Sequence, residues 1–163
     1  MCNPDAFTAR YLEVLNDRLG WDATVDDDGD LTFGLSELRT EGGSSAWIDN
    51  HAPHDPEYLR VHTGFRLPAD AESDEASLGA LAADLSRKLK VAKVAVDGAF
   101  FIVSVEMLAA GPGCLPAGEH LAAVLPRARR LLVGAAIRFD EDLMLRGIES
   151  ATRSAAEQQG TDR

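Results

Sequence analysis

The chain has 163 residues, 45% hydrophobic and 26% charged, with a formal net charge of −11 at pH 7. That length suits one domain with a sizeable core, and no apolar run reaches the roughly 18 residues needed to cross a bilayer. The negative field opposes contact with nucleic acid phosphates and with anionic lipid heads, and it favours solubility and basic partners.

Residues 3 to 19 read as a helix. Asn3 can cap it, Pro4 suits its first turn, and Phe7, Tyr11, Val14, Leu15 and Leu19 recur at helical spacing before Gly20 ends it. The opening stretch, MCNPDAFTAR, lacks a basic region followed by an apolar core, so a cytoplasmic location is expected. Cys2 and Cys114 are distant in sequence and are expected as free thiols.

The stretch VDDDGDLTF, residues 25 to 33, invites a calcium reading. With Gly29 at loop position six, Thr24, Asp26 and Asp28 fall at one, three and five, but position twelve is Leu35, which cannot chelate. The flanks, 21 to 25 and 31 to 35, alternate like strands instead. A two-residue loop at Asp28-Gly29 would set Val25 against Thr32 and Phe33 against Thr24, splitting the apolar residues between faces. A three-residue loop of Asp27, Asp28 and Gly29 sets Asp26 against Asp30, Val25 against Leu31, Ala23 against Phe33 and Trp21 against Leu35. Every apolar residue then shares one face, which fixes the register. Gly29 is expected at positive φ, and the aspartates form a solvated tip.

Residues 37 to 57 are less regular. SSAWI suggests a short strand, and NHAPHDPE, with two prolines, a loop. YLRVHTGFRL alternates again, with Leu59, Val61, Phe65 and Leu67 on one face, and PADAESD reads as an acidic linker. Ser73 can cap a helix reaching about residue 90, its buried stripe formed by Leu78, Leu81, Leu85 and Leu89. The next stretch, VAKVAVDGAFFIVSVEML, reads as a hairpin turning at Asp97-Gly98, with Val96 against Ala99, Val94 against Phe101 and Ala92 against Val103. A break at AAGPGCLPAG precedes a helix over about 117 to 146. Leu121, Leu125, Ala128, Leu132, Ala135 and Phe139 recur along it, and Pro126 must either kink it or begin a second helix. The domain is placed at 1–148, and the segment 149–163 is expected to be a flexible tail.

The class is α+β, an antiparallel sheet of about five strands with three helices. The order, carried by DDDGDLTF, YLRVHTGFRLP, LAADLSRKLKVAKVAVDGAFFIVSVEMLAAG and LPRARRLLVGAAIRFDEDL, resembles that of YbjN and the class I type III secretion chaperones (the TY-Chap family). The resemblance implies an αβββαββα fold, a homodimer, and binding of a protein or peptide client without catalysis. It supplies no catalytic residues.

The residues themselves assemble no reaction centre. Asp49, His51, His54, Asp55 and His62 lie near one another in sequence, but a proline-bearing loop does not fix the convergence that zinc requires. Cys114 sits in a Gly-Pro-Gly turn, separated from His120 by a helix start. The acidic runs Asp26 to Asp28 and Asp140 to Asp142 have no apolar pocket to raise a pKa. No cofactor or metal is expected. Arg127, Arg129 and Arg130 are expected to pair with the chain's own carboxylates, the alternative being an acidic segment of a partner. Phe100 and Ile102 fall on the face of their strand opposite the main apolar stripe, which marks them for a partner unless another helix covers them; Trp47 and Ile48 are further partner-binding candidates. The expectation is a non-enzymatic chaperone-like or adaptor domain, with an immunity-type inhibitor of a basic protein as the alternative and an enzyme third.

Overall fold

A computed structural model describes residues 4–38, 44–67 and 75–145. The expected caps at Asn3 and Ser73, the linker at 68–74, Cys2 and the segment 149–163 lie outside the described residues.

The first helix, α1 (Pro4–Leu12), passes directly into a π-helical stretch, Glu13–Arg18. Phe7, Tyr11, Val14 and Leu15 are buried along it. Its wide last turn delivers the chain to the sheet: the Trp21 amide donates to Leu15 O at 2.9 Å, and Gly20 sits at φ 65°. Asn16 then clamps the exit, its Nδ2 donating to Ala23 O at 3.0 Å and its Oδ1 accepting from the Ala23 amide at 2.6 Å. Asp22 between them takes φ 51°. This left-handed residue is why the expected strand over 21 to 25 is only β1 (Thr24–Val25).

Strand β2 (Leu31–Gly34) returns in the expected register, with Val25 opposite Leu31 and Gly29 at φ 87°. Asp26 organises the tip, its Oδ1 accepting from the Asp28 amide at 3.1 Å and the Asp30 amide at 3.0 Å. Val25 is not buried as the alternation suggests. It is 42% exposed, because β1 is a sheet edge with a neighbour on one side only.

Strands β3 (Ser45–Ile48) and β4 (Tyr58–Arg66) follow, then α2 (Glu75–Lys88), the hairpin β5 (Ala92–Asp97) and β6 (Phe100–Leu108), and α3 (Gly118–Leu145). The sheet is antiparallel with six strands in the order β1-β2-β3-β4-β6-β5. Four strands rather than three therefore precede α2. Helix α3 runs through Pro126 as a single 28-residue helix.

The second hairpin turns one residue later than expected. Asp97 pairs with Phe100, so the loop is Gly98-Ala99, and Val94 meets Val103 rather than Phe101. Gly98 has φ 55° and Ala99 has no positive φ. That pattern fits a II′ turn, which needs glycine only at its first central position; a I′ turn at Asp97-Gly98 would force aspartate into the left-handed region as well. The shift moves the pairing by two residues, so each side chain keeps its face.

One face of the sheet carries the core. Leu31, Phe33, Ala46, Ile48, Leu59, Val61, Phe65, Val94, Phe101, Val103 and Val105 are buried there, with α2 packed on β5 and α3 packed across β6, β4 and β5. Phe101 stacks on Phe65 at 5.0 Å and tilts against Phe139 of α3 at 4.5 Å. Thr63 is the polar member of this face, and its hydroxyl donates to Ser45 O at 2.7 Å.

Candidate functional site

The opposite face follows from the same alternation. A transverse row crosses all six strands in register: Thr24, Thr32, Trp47, His62, Ser104 and Lys93. Among the described residues no helix packs over it.

Toward the Tyr58 end this face is ionic. Asp49, just past β3, is its hub. It accepts from Arg60 Nη1 at 2.9 Å, contacts His62 Nε2 at 2.6 Å, and lies 3.5 Å from His51 Nε2. Burial alone would raise the Asp49 pKa, but the hydrogen bond and charge of His62, joined by those of Arg60, bring it below the usual value. Glu106 accepts from Lys93 Nζ at 2.6 Å and from Ser104 Oγ at 2.8 Å. These contacts, led by Lys93, hold the Glu106 carboxyl at about 2. Tyr58 on the neighbouring strand is pushed up to about 12, by desolvation first and then by Glu106.

Toward the Arg66 end the face turns apolar. Gly64 pairs with Ile102, and Arg66 with Phe100. Trp47 stacks on His62 at 5.8 Å between centroids. Together these residues floor a groove of about 390 Å³, lined by Trp47, His62, Gly64, Phe100 and Ile102, with Asp26, Asp28 and Asp30 on the β1–β2 side and Asp97 on the β5–β6 side. The hairpin tip is held there by Asn50, whose amide donates to Asp30 Oδ1 at 2.6 Å.

Three of the four residues singled out in the sequence meet in this groove. Phe100 is 50% exposed, and Ile102 and Trp47 are half-buried. Ile48 is the correction. It is fully buried, opposite Leu31 and Val61. Adjacent strand residues point to opposite faces, so Trp47 and Ile48 cannot both reach one surface. The aspartates of the hairpin tip and Gly64 were not assigned to a site by sequence reasoning. The signal for Gly64 was legible: a glycine in the middle of a nine-residue alternating strand is out of place unless a backbone or ligand approaches there.

The other candidates are not assembled. Cys114 is exposed within the turn closed by its amide and Gly111 O at 3.1 Å, and His120 is exposed in the first turn of α3. Among the described residues no group of three or more His, Cys, Asp or Glu converges as a metal site. Arg129 pairs with Glu37 at 2.7 Å and lies 4.9 Å over the Trp21 ring, as the self-pairing expectation required, while Arg127 and Arg130 are exposed.

These features define an α+β domain whose helices cover one face of an antiparallel sheet and leave the other open. The crystal structure of YbjN from E. coli, described as a candidate transcription regulator, is similar. It superposes with a TM-score of 0.61 over 90% of this chain and 94% of that chain, at 11% sequence identity. At that identity the likeness is one of fold. No family model and no curated protein matches the sequence.

Proposed function

We propose that this chain is a non-catalytic, chaperone-like or adaptor domain that holds a segment of a partner protein against its open sheet face. The observation that carries the reading is the open groove floored by exposed Phe100 and half-buried Trp47 and Ile102, beside a region of the same face where Asp49 and Glu106 are held in ion pairs. Neighbouring exposed apolar side chains mark contact surfaces, and aromatic residues are the commonest anchors of such contacts. Binding is favoured over catalysis because the carboxylates of this face, Asp49 and Glu106, are shifted down, not up. They are permanent anions engaged by neighbours, unlike proton-transfer groups poised near neutrality. A regulatory role like that ascribed to YbjN would then act through protein contacts, since a net charge of −11 opposes direct contact with nucleic acid.

The test is to immobilise the wild-type chain and a folded Phe100→Ser/Ile102→Ser variant, identify what each retains from native lysate, and titrate the purified protein found. Retention by the wild type with weakening of about 100-fold in the variant is expected, from two anchors of roughly 1.5 kcal/mol each. Equal binding by both would remove the open face as the site.

A further inference from the structure

The groove has a sign as well as a shape. Among the described residues its lining holds four aspartates, Asp26, Asp28, Asp30 and Asp97, and neither lysine nor arginine. Among the described residues none of the four takes part in an ion pair. Asp26 and Asp30 are partly occupied with backbone amides. Asp28 and Asp97 accept no hydrogen bond through their carboxylates within the described residues. The cations of the same face lie outside the lining: Arg60 is held by Asp49, Lys93 is held by Glu106, and Arg66 stands opposite Phe100 at the strand end.

The floor of the groove is bare backbone where it need not be. Gly64 has no positive φ, and a Cβ added there would meet only Phe101 O at 3.8 Å and Ile102 Cγ1 at 4.0 Å, ordinary contact distances. Glycine inside a strand is destabilising relative to residues with side chains. Neither backbone conformation nor room at Cβ therefore requires glycine at 64, and its missing side chain leaves open the space between Trp47 and Ile102.

We propose that this groove takes a basic segment of a partner protein, with one apolar side chain seated over Gly64 between Trp47 and Ile102 and arginine or lysine side chains facing Asp28 and Asp97. This deepens the reading of the open face as a binding surface and rests on it. The aromatic rings of Trp47 and Phe100 add a second attraction for a cation. A second copy of this chain is a poor occupant, because it would bring the same aspartates against each other in a molecule already at −11.

A random library of short peptides, selected on the full-length wild-type chain and counter-selected on Gly64→Val, tests this. Valine at 64 suits a strand and should leave the melting temperature unchanged or raised. Enriched peptides should be net basic with an apolar residue. Measured by fluorescence anisotropy, their binding should weaken at high salt, fall about 5-fold in Asp28→Asn/Asp97→Asn, and fall at least about 10-fold in Gly64→Val. Neutral or acidic peptides that bind and are lost on Gly64→Val would overturn the basic-partner assignment while leaving the groove as a binding surface. A dimer dissociated by Gly64→Val would do the same, with a second copy as the occupant. No enrichment over Gly64→Val would sink both readings.

Discussion

Serine placed at successive positions of β6 should separate the two faces of the sheet. Phe101 is fully buried and packed between Phe65 and Phe139. Truncating such a ring costs about 3–5 kcal/mol, and leaving a hydroxyl in an apolar site adds about 1–3 kcal/mol. At roughly 2–4 °C per kcal/mol for a chain of this size, Phe101→Ser should lower the melting temperature by roughly 8–30 °C. Against a net stability of about 5–15 kcal/mol, that loss removes from about a quarter to all of the folding free energy. Phe100 is half exposed and Ile102 is partly covered. Changing both to serine removes less buried area, so a cost near 1 kcal/mol is expected, equivalent to about 2–4 °C. Thermal melts followed by circular dichroism, on wild type and both variants at one protein concentration, give the comparison. If the Phe100→Ser/Ile102→Ser variant melts as low as Phe101→Ser, the two faces are equally buried, and the argument for an open surface fails.

Lys93→Met should raise the Glu106 pKa from about 2 toward its ordinary 4.5, read by carbon-detected NMR titration of that carboxyl. Because the folded pKa is depressed, Glu106 contributes stability that is full above pH 4.5 and lost as the pH falls toward 2. Lys93→Met should therefore make the fall of the denaturant midpoint across that window shallower, and an unmoved Glu106 titration would show that Lys93 is not the main cause. Gly29→Ala should destabilise by at least about 1 kcal/mol, since φ 87° is strained for any residue with a Cβ; a variant as stable as wild type in urea would contradict that backbone conformation.

What the sequence made legible was local or set by a face. The first hairpin's register could be read because only one loop length puts Ala23, Leu31 and Phe33 on one face, and the structure keeps that register with Val25 opposite Leu31 and all three residues buried. The alternation of β4 was equally plain for Leu59, Val61 and Phe65, and on to Leu67 just past it, but not the burial of Thr63, which depends on a carbonyl of another strand. The second hairpin kept its faces but not its pairing, because two loops one residue apart preserve parity and differ only in turn chemistry. The π-helical exit after Leu12 was hidden, since it depends on Asn16 reaching Ala23. Of the site, Phe100 and Ile102 were visible as misplaced apolar residues on one strand. Asp49 as an ionic hub was not, because its partners Arg60 and His62 are brought to it by pairing between β3 and β4. The acidic rim likewise depends on where the first hairpin lies relative to Trp47, which short-range patterns do not encode.

The pairing of β4 with β6 has a consequence in time. Its nine residue pairs, from Tyr58 with Leu108 to Arg66 with Phe100, join positions 34 to 50 residues apart, whereas β5 and β6 are joined by a two-residue turn. Closing the longer loop costs more chain entropy, and contacts of high sequence separation slow folding. We expect the β5–β6 hairpin with α2 to form as a local unit, and β4 to zip onto it afterwards. Gly64 meets Ile102 only in that later step, so the floor of the groove does not exist in a chain that has collapsed but not completed its central ladder. A nascent or partly unfolded molecule would have its acidic hairpin tip and its aromatic side chains but not the groove between them, so on the proposed reading of this face a client would meet its seat only after the central ladder has closed.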